Sequence, residues 1–426
     1  MQRTHINQIK EGQTVLVQGW VHSARGQSKI KFLQLRDVTG VVQCILMDQA
    51  LFPTFDKLLA ESAISITGLV KKAVVKSDEI TQKTVEIEIH QLEIINLAEP
   101  LPINISAKDD ALTNELAKRL DYRFVDLHRR DVQAIFKVEA TLLAAFREFM
   151  IKEQAIECIF PSIIGASSEG GTEVYPVQYF EKKALLSQSC QLYKQMAACS
   201  LEKVFSVFTV WRAEKHNTLR HLNESRQMDF EIAFADDKVA MDVLGRCVQY
   251  IVKTIIERNA ADLEVLKVHL KVPTVKYLTF DQVAQLMKQH KVEMGEDDLS
   301  GEAEHKLGEL YPDTVVFVHD WPLAGKPFYI MPKGKHSSYG YDAIYQGMEI
   351  SSGGQRIHLP ELLIERLKAK DLNPEHFKSY VDSFRYGAPP HAGWGVGVER
   401  LTMQVLGLKN IREVTLFPRD RDRLTP

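Results

Sequence analysis

Five short stretches in which apolar and polar residues alternate, at residues 14–22, 30–36, 41–46, 63–70 and 85–89, crowd the first hundred residues of this chain. A period of two turns successive side chains to opposite faces, so each stretch reads as a half-buried strand. Five such strands packed so closely predict a small barrel. A helical pattern at residues 52–61, between the third and fourth strands, favours the OB-fold, whose open face and loops commonly bind oligonucleotides; an SH3-like barrel fits the same spacing.

The alternation stops at Pro100 and Pro102, and the charged segment 108–130 leads into a helical pattern from Val132 to Lys152 with apolar residues at Ile135, Val138, Leu142, Ala145 and Phe149. These shifts predict an α+β protein with a barrel domain over 1–100, a hinge over 101–131 and a second domain over 132–426 that mixes strands and helices. Residues 237–311 read as a mainly helical insertion in that second domain.

With 426 residues and 45% hydrophobic content, the chain can bury more than one core. It has no long apolar run of the kind that spans a membrane, and its first residues lack the apolar stretch of a secretory signal, so a soluble cytoplasmic protein is expected. Cys44, Cys158, Cys190, Cys199 and Cys247 are scattered without metal-ligand spacing and read as reduced thiols. A formal net charge of −3 gives no global basic signature, so any nucleic-acid contact must be local. The candidates are Arg25, Lys29 and Lys31 in one loop and Lys71, Lys72 and Lys76 in another, which read equally as a solvated face.

Chemistry concentrates downstream. Val210-Trp211-Arg212-Ala213-Glu214, a polar loop carrying Arg220 and His221, and Met228-Asp229-Phe230-Glu231 read as strand, loop, strand. An arginine closing an apolar strand is costly to bury unless it meets an anion, and guanidinium forks suit phosphate oxygens. A purely structural reading pairs Arg212 with Glu214 or Asp229. Further on, glycines 393, 395 and 397 run into a helix starting near Glu399 and Arg400, a backbone that lets a flat ligand approach closely. It does not fit a P-loop or a dinucleotide fingerprint.

Together these two segments resemble the second and third signature motifs of the class II aminoacyl-tRNA synthetases, and residues 156–161, Ile-Glu-Cys-Ile-Phe-Pro, resemble the first, which in that family builds a homodimer interface. The likeness runs from the barrel to residues 417–426 and is closest to the compact archaeal-type aspartyl branch. It implies an N-terminal OB-fold anticodon-binding domain joined to a class II antiparallel-sheet catalytic domain with flanking helices. Segments 168–173, 188–195 and 347–356 are similar to that branch's amino-acid pocket. There Lys194 and Arg356 offer positive charge to a side-chain carboxylate, while Glu169 and Gln191 suit the substrate ammonium. Such a pocket rejects the neutral amide, which leaves buried cations unpaired.

The resemblance also implies roles. Arg212 meets the ATP α-phosphate and the substrate carboxylate, with Arg400 as its catalytic partner. Glu214 lies near the adenine, and Arg220, His221 and Arg400 hold the outer phosphates. Leu222, Gly397, Val398 and Glu399 line the nucleotide. Glu349 and Ser352 ligate Mg2+, with Ser352 also bordering the amino acid; a structural reading makes Glu349 a partner of Arg400. The implied reaction is attack of the aspartate carboxylate on the α-phosphorus, loss of pyrophosphate, and transfer to the terminal hydroxyl of tRNA, without a protein nucleophile.

In the barrel, Phe32 and Gln43 match positions that stack on and bond to the middle anticodon base, with Arg25 beside them; Phe32 as a core residue is the alternative. His22 stands where tRNA(Asp)-restricted enzymes often carry tryptophan, and resembles relaxed members that also charge tRNA(Asn) and depend on an amidotransferase to finish the product. Cys190 stands where proline is usual. The rivals are an asparaginyl-tRNA synthetase, which does not usually have lysine at position 194, and a paralogue that does not charge tRNA, which the retained barrel disfavours.

Overall fold

The computed structural model describes residues 1–26, 29–105, 115–165 and 173–426. The chain divides into two compact units, Met1–Asn114 and Glu115–Pro426.

In the first unit the strands Thr14–Gly26, Lys31–Asp37, Gly40–Leu46, Ala63–Lys72 and Val85–Asn96 close into a barrel in which the third pairs in parallel with the fifth and the fourth antiparallel with the first. That order is the OB-fold, and closure removes the exposed edges an open sheet would present. Alternate residues such as Val15, Val17, Leu33, Leu35, Ile64, Ile66 and Ile87 fill the interior. The helix expected over 52–61 is a single turn, Phe52–Phe55. At the far end of the expected span Glu61 adopts a positive φ of 68°, outside helical geometry, and pairs with the buried Arg36 at 2.6 Å.

The second unit is built on an eight-stranded sheet. Across it run Thr274–Thr279, Thr314–His319, Gly340–Tyr345, Met348–Gln355, His391–Gly397, Glu224–Ala233, Lys203–Trp211 and Ile156–Glu157. Only the outermost pair at each end is parallel. Helices Arg130–Lys152, Asp237–Arg258 and Val398–Leu406 cover one face with the main core. Helix Asp237–Arg258 starts on an Asp236 cap that accepts from the Val239 amide at 3.0 Å, and buries Ala240, Leu244, Val248, Ile251 and Ile255 at helical spacing.

Residues 237–311, expected as a mainly helical insertion, hold the helices Asp237–Arg258, Ala260–Leu266, Phe280–Gln289 and Gly301–Leu310 between two strands of the sheet; the first of these helices backs the sheet, and strand Thr274–Thr279 extends its edge. The hinge expected over 101–131 is shorter, because residues from Glu115 onward pack into the second unit. Buried Arg123 secures them, donating to the carbonyls of Leu416, Glu413 and Thr415 at 2.9–3.0 Å and pairing with Asp126 at 2.7 Å.

Candidate active site

The face of the sheet opposite the main core opens into a cavity of about 330 Å³. Strand Glu224–Ala233 explains how a mid-sheet strand serves both sides. Met228, Phe230 and Ile232 enter the core, and the intervening Gln227 and Asp229 line the cavity. Glu231 follows on the same alternation.

At the deep end, charge is matched pair by pair. Gln191 and Lys194 share one side of helix Gln191–Leu201, three residues apart, and both line the cavity. Lys194 Nζ donates to Asp229 Oδ1 at 2.8 Å and to the Trp394 carbonyl at 2.9 Å, with Glu231 at 3.6 Å. Arg356 clamps Glu231 through Nε and Nη2 at 2.8 and 3.2 Å. Burial alone would push the Glu231 carboxyl up, but Arg356 and Lys194 outweigh it and hold the group below the ordinary carboxylate range. All four side chains are at most 2% exposed. Lys194 and Arg356 are therefore not the uncompensated pair of charges expected from sequence, since two acids that the sequence reading did not assign to the pocket neutralise them. Among the described residues, what remains for a ligand is the third donor of Lys194, the Nη1 of Arg356 and two buried groups with no hydrogen-bond partner there, Gln191 Nε2 and Asp229 Oδ2.

The glycines of strand His391–Gly397 make room for those acids. A Cβ on Gly393 would lie 2.2 Å from Glu231 Oε2, and one on Gly395 3.1 Å from Asp229 Oδ1. Their smallness thus serves the neighbouring carboxylates before any flat ligand.

Toward the mouth the pairs loosen. Arg212 is 3.8 Å from Glu214, Arg400 is 3.6 Å from Glu349, and Arg220 is 3.2 Å from Glu304. His221 sits beside them, its imidazole pushed down by burial and by the charge of Arg400. The loop carrying Arg220 and His221 is pinned by Asn223, which donates to the carbonyls of Arg212 and Glu214, and by Arg412, which reaches the Thr218 carbonyl at 3.0 Å.

Hairpin Gly340–Tyr345 and Met348–Gln355 turns on Gln346 and Gly347, both at positive φ. Its register slips beside Ala343, leaving Ile350 as an extra residue. Glu349 and Ser352 would otherwise alternate to opposite faces; with the bulge both line the cavity, and Ile350 between them packs into the core at 1% exposure while also bordering the cavity. Burial pushes the Glu349 carboxyl up, Arg400 opposes this, and Asp342 and Glu304 reinforce it.

Thirteen residues expected from the sequence thus line one cavity: Gln191, Lys194, Arg212, Glu214, Arg220, His221, Leu222, Glu349, Ser352, Arg356, Gly397, Glu399 and Arg400. Two of these, and Val398 beside them in the sequence reading, need correction or qualification. Val398 is wholly buried in the core, so its side chain does not face a nucleotide. Glu399 touches the cavity, but Arg226 takes its carboxylate through Nε at 3.0 Å and through the backbone amide. Leu222 is mostly committed to core packing, at 6% exposure. Glu169 lies outside the described residues. Asp229, Glu231 and Lys326 were missed as site residues; charged residues alternating with core residues along a central strand were the available signal for the first two.

In the barrel, Phe32 is half-buried on the outer face, cross-strand from Arg25, whose guanidinium lies 5.6 Å from the ring centre. It is not a core residue. Gln43, on the adjacent strand, donates to Glu86 at 2.8 Å. His22 stands 3.8 Å from Glu79 and lines a separate recess of about 510 Å³ with Leu59, Pro100 and Pro102.

A barrel of OB topology, joined in one chain to an antiparallel sheet whose cavity holds arginines at the mouth and matched ion pairs at the floor, defines a class. Residues 115–421 match the family of class II tRNA synthetases (D, K and N), and residues 15–95 the OB-fold nucleic acid binding domain. The chain belongs to that family and is a class II aminoacyl-tRNA synthetase, a ligase with tRNA as its partner. Among individual proteins, it is 43% identical to the aspartate–tRNA(Asp/Asn) ligase of Methanocaldococcus jannaschii, covering 100% of this chain and 98% of that one. It is 39% identical to the aspartate–tRNA(Asp) ligase of Thermoplasma acidophilum over the whole of both. Its fold superimposes with a TM-score of 0.92 on the asparaginyl-tRNA synthetase of Pyrococcus horikoshii complexed with asparaginyl-adenylate, at 31% identity and complete coverage of both chains. The aspartyl-tRNA synthetase of Entamoeba histolytica gives 0.89 at 32%, covering 100% of this chain and 93% of that one. No helix among the described residues is long and apolar enough to cross a membrane.

Proposed function

We propose that the chain is an aspartate–tRNA ligase that activates L-aspartate with ATP and charges both tRNA(Asp) and tRNA(Asn). The observation that carries the amino-acid choice is Lys194 at the cavity floor, with one donor open beside Arg356. A carboxylate there accepts charge-assisted bonds from both, whereas an amide turns its NH2 toward donors. Asp229 Oδ2 suits the substrate ammonium, a role expected of Glu169 too, whereas Gln191 Nε2 is a donor and suits a carboxylate oxygen in place of the ammonium expected from the sequence. Arg212 and Arg400 stabilise charge on the phosphates during attack of the aspartate carboxylate on the α-phosphorus. Glu214 borders the adenine, and Arg220 and His221 hold the outer phosphates.

Glu349 and Ser352 offer a carboxylate and a hydroxyl on one face of the bulged hairpin, an all-oxygen donor set that fits Mg2+. When bound, the ion would neutralise and orient the phosphates. Ile159, at 97% exposure in the first motif, supports a homodimer whose second copy covers it. A cytoplasmic location belongs to the same reading.

The tRNA scope rests on His22 and its recess, which suits an unpaired anticodon base; product formed on tRNA(Asn) would need an amidotransferase. The likeness to an asparaginyl-tRNA synthetase favours asparagine as a second reading. ATP–pyrophosphate exchange with each amino acid, followed by aspartylation of separately transcribed tRNA(Asp) and tRNA(Asn), decides. Exchange with aspartate and charging of both tRNAs are expected, and His22→Trp is expected to reduce charging of tRNA(Asn) alone. Exchange with asparagine only would overturn the amino-acid choice, and equal responses of both tRNAs to His22→Trp would overturn the role of His22.

A further inference from the structure

The polar loop at the cavity mouth brings together one carboxylate and two imidazoles. Potential ligand atoms of Glu214, His216 and His221 all lie within 4.8 Å of one another. His216 Nε2 is already 3.2 Å from Glu214 Oε2, and the two imidazole rings meet edge to face at 4.9 Å between centres. Ligands on a tetrahedral zinc ion stand roughly 3.3 Å apart, given metal–ligand distances of about 2.0–2.1 Å. Closing the set therefore asks for a movement of at most roughly 1.5 Å, which half-exposed His216 can supply by a rotamer change. Thr218 Oγ1 bonds His221 Nδ1 at 2.6 Å, which orients the ring and leaves Nε2 for an ion, as outer partners of metal-bound histidines do.

We infer that Glu214, His216 and His221 form a binding site for a borderline divalent cation such as Zn2+, and that its occupancy competes with ATP. The two nitrogen ligands select against Mg2+, which prefers oxygen. Competition follows because the site shares Glu214 and His221 with the proposed nucleotide pocket, so this consequence rests on the function proposed above. The guanidinium groups of Arg400 and Arg212 lie near His221. Those same cations oppose the ion, which makes a reversible regulatory site the expectation rather than a permanent one.

The test uses the full-length chain, freed of metal by chelation. Without ATP, Zn2+ binding is followed by calorimetry and Co2+ binding by its visible absorption. One equivalent is expected. His216→Ser should weaken both by at least about tenfold, and Thr218→Val should also weaken them, since loss of an outer partner typically costs about 10–100-fold. In pyrophosphate exchange with excess Mg2+, Zn2+ should raise the KM for ATP in the parent. His216→Ser should keep the zinc-free rate and resist that inhibition. Zn2+ binding unchanged by His216→Ser would overturn the site, and inhibition that ATP does not relieve would overturn the competition. The binding measurements need no exchange activity, so failure of the metal site and failure of the nucleotide reading are told apart.

Discussion

The floor and the mouth of the cavity use the same kinds of side chain in opposite ways. At the floor, Lys194–Asp229 and Arg356–Glu231 sit at 2.8 Å with every partner at most 2% exposed. At the mouth, Arg212–Glu214 and Arg400–Glu349 stand at 3.8 and 3.6 Å, with the arginines 43% and 27% exposed. Buried pairs hold a fixed geometry because separating them strands a charge in a poor solvent. Loose, hydrated pairs exchange partners at little cost. The floor is thus suited to choosing a small substrate and the mouth to gripping and releasing a polyphosphate.

Removing a charge from the floor gives the sharpest test of that division. Lys194→Leu leaves Asp229 buried without its cation and takes away the open donor. We expect kcat/KM for aspartate in pyrophosphate exchange to fall by about a thousandfold or more. Stability should drop by about 3–5 kcal/mol in denaturant titrations, while ATP affinity measured by direct binding stays close to the parent value. Unchanged aspartate kinetics would show that the floor does not select the substrate.

The mouth should respond the other way. Arg212→Lys keeps the charge but loses the planar fork, so the exchange kcat should fall by about a hundredfold. Stability should change by no more than about 0.5 kcal/mol, because the side chain is largely hydrated. A large loss of stability would mean that the mouth is as tightly preset as the floor.

The two regions also differed in how far they were legible. The mouth and the barrel were readable because their signals are local: alternation marks the strands, and Arg212, Arg220 and Arg400 stand in segments with recognisable order. The floor was half legible. Lys194 and Arg356 were found, but Asp229 and Glu231 act through contacts with residues far away in the chain. Nothing local said that Gly393 and Gly395 leave space for their carboxylates. The bulge at Ile350 was likewise invisible, since only pairing with the neighbouring strand reveals it. Helix Asp237–Arg258 was legible as a helix, but its place beneath the sheet was not, because the strands it covers come from elsewhere in the chain.

Behind the cavity lies a case that separates burial from matched charge. Glu139 and Glu399 are both buried and share one cation, Arg226, at 2.6 and 3.0 Å. Burial pushes Glu139 from its ordinary 4.5 up to about 7, with Arg226 opposing and Glu399 adding to the rise. A carboxyl whose pKa is raised by folding favours the folded state while protonated, and that advantage is lost as pH rises toward the folded value. Glu139→Gln, which cannot ionise, should therefore gain stability relative to the parent between pH 4.5 and about 7, by up to about 3 kcal/mol. Denaturant titrations across that range check it. A flat difference would mean that a shared cation protects a buried acid as well as a dedicated one.

The smallest effect belongs to the barrel, where the proposed contacts with RNA are as loose as the mouth's contacts with phosphate. Phe32 presents a half-buried ring to the outside, with the Arg25 guanidinium beside it across the strand pair. An unpaired base stacked on that ring gains about 1–3 kcal/mol, and part of this remains when the guanidinium face stays available. Phe32→Ala should therefore raise the KM for tRNA by about tenfold, with the pyrophosphate exchange rate unchanged because that reaction needs no tRNA. The barrel core should be undisturbed, since Phe32 takes no part in it. If exchange fell together with charging, the ring would be acting on the fold or on the catalytic unit, and the outer face would lose its claim to the anticodon.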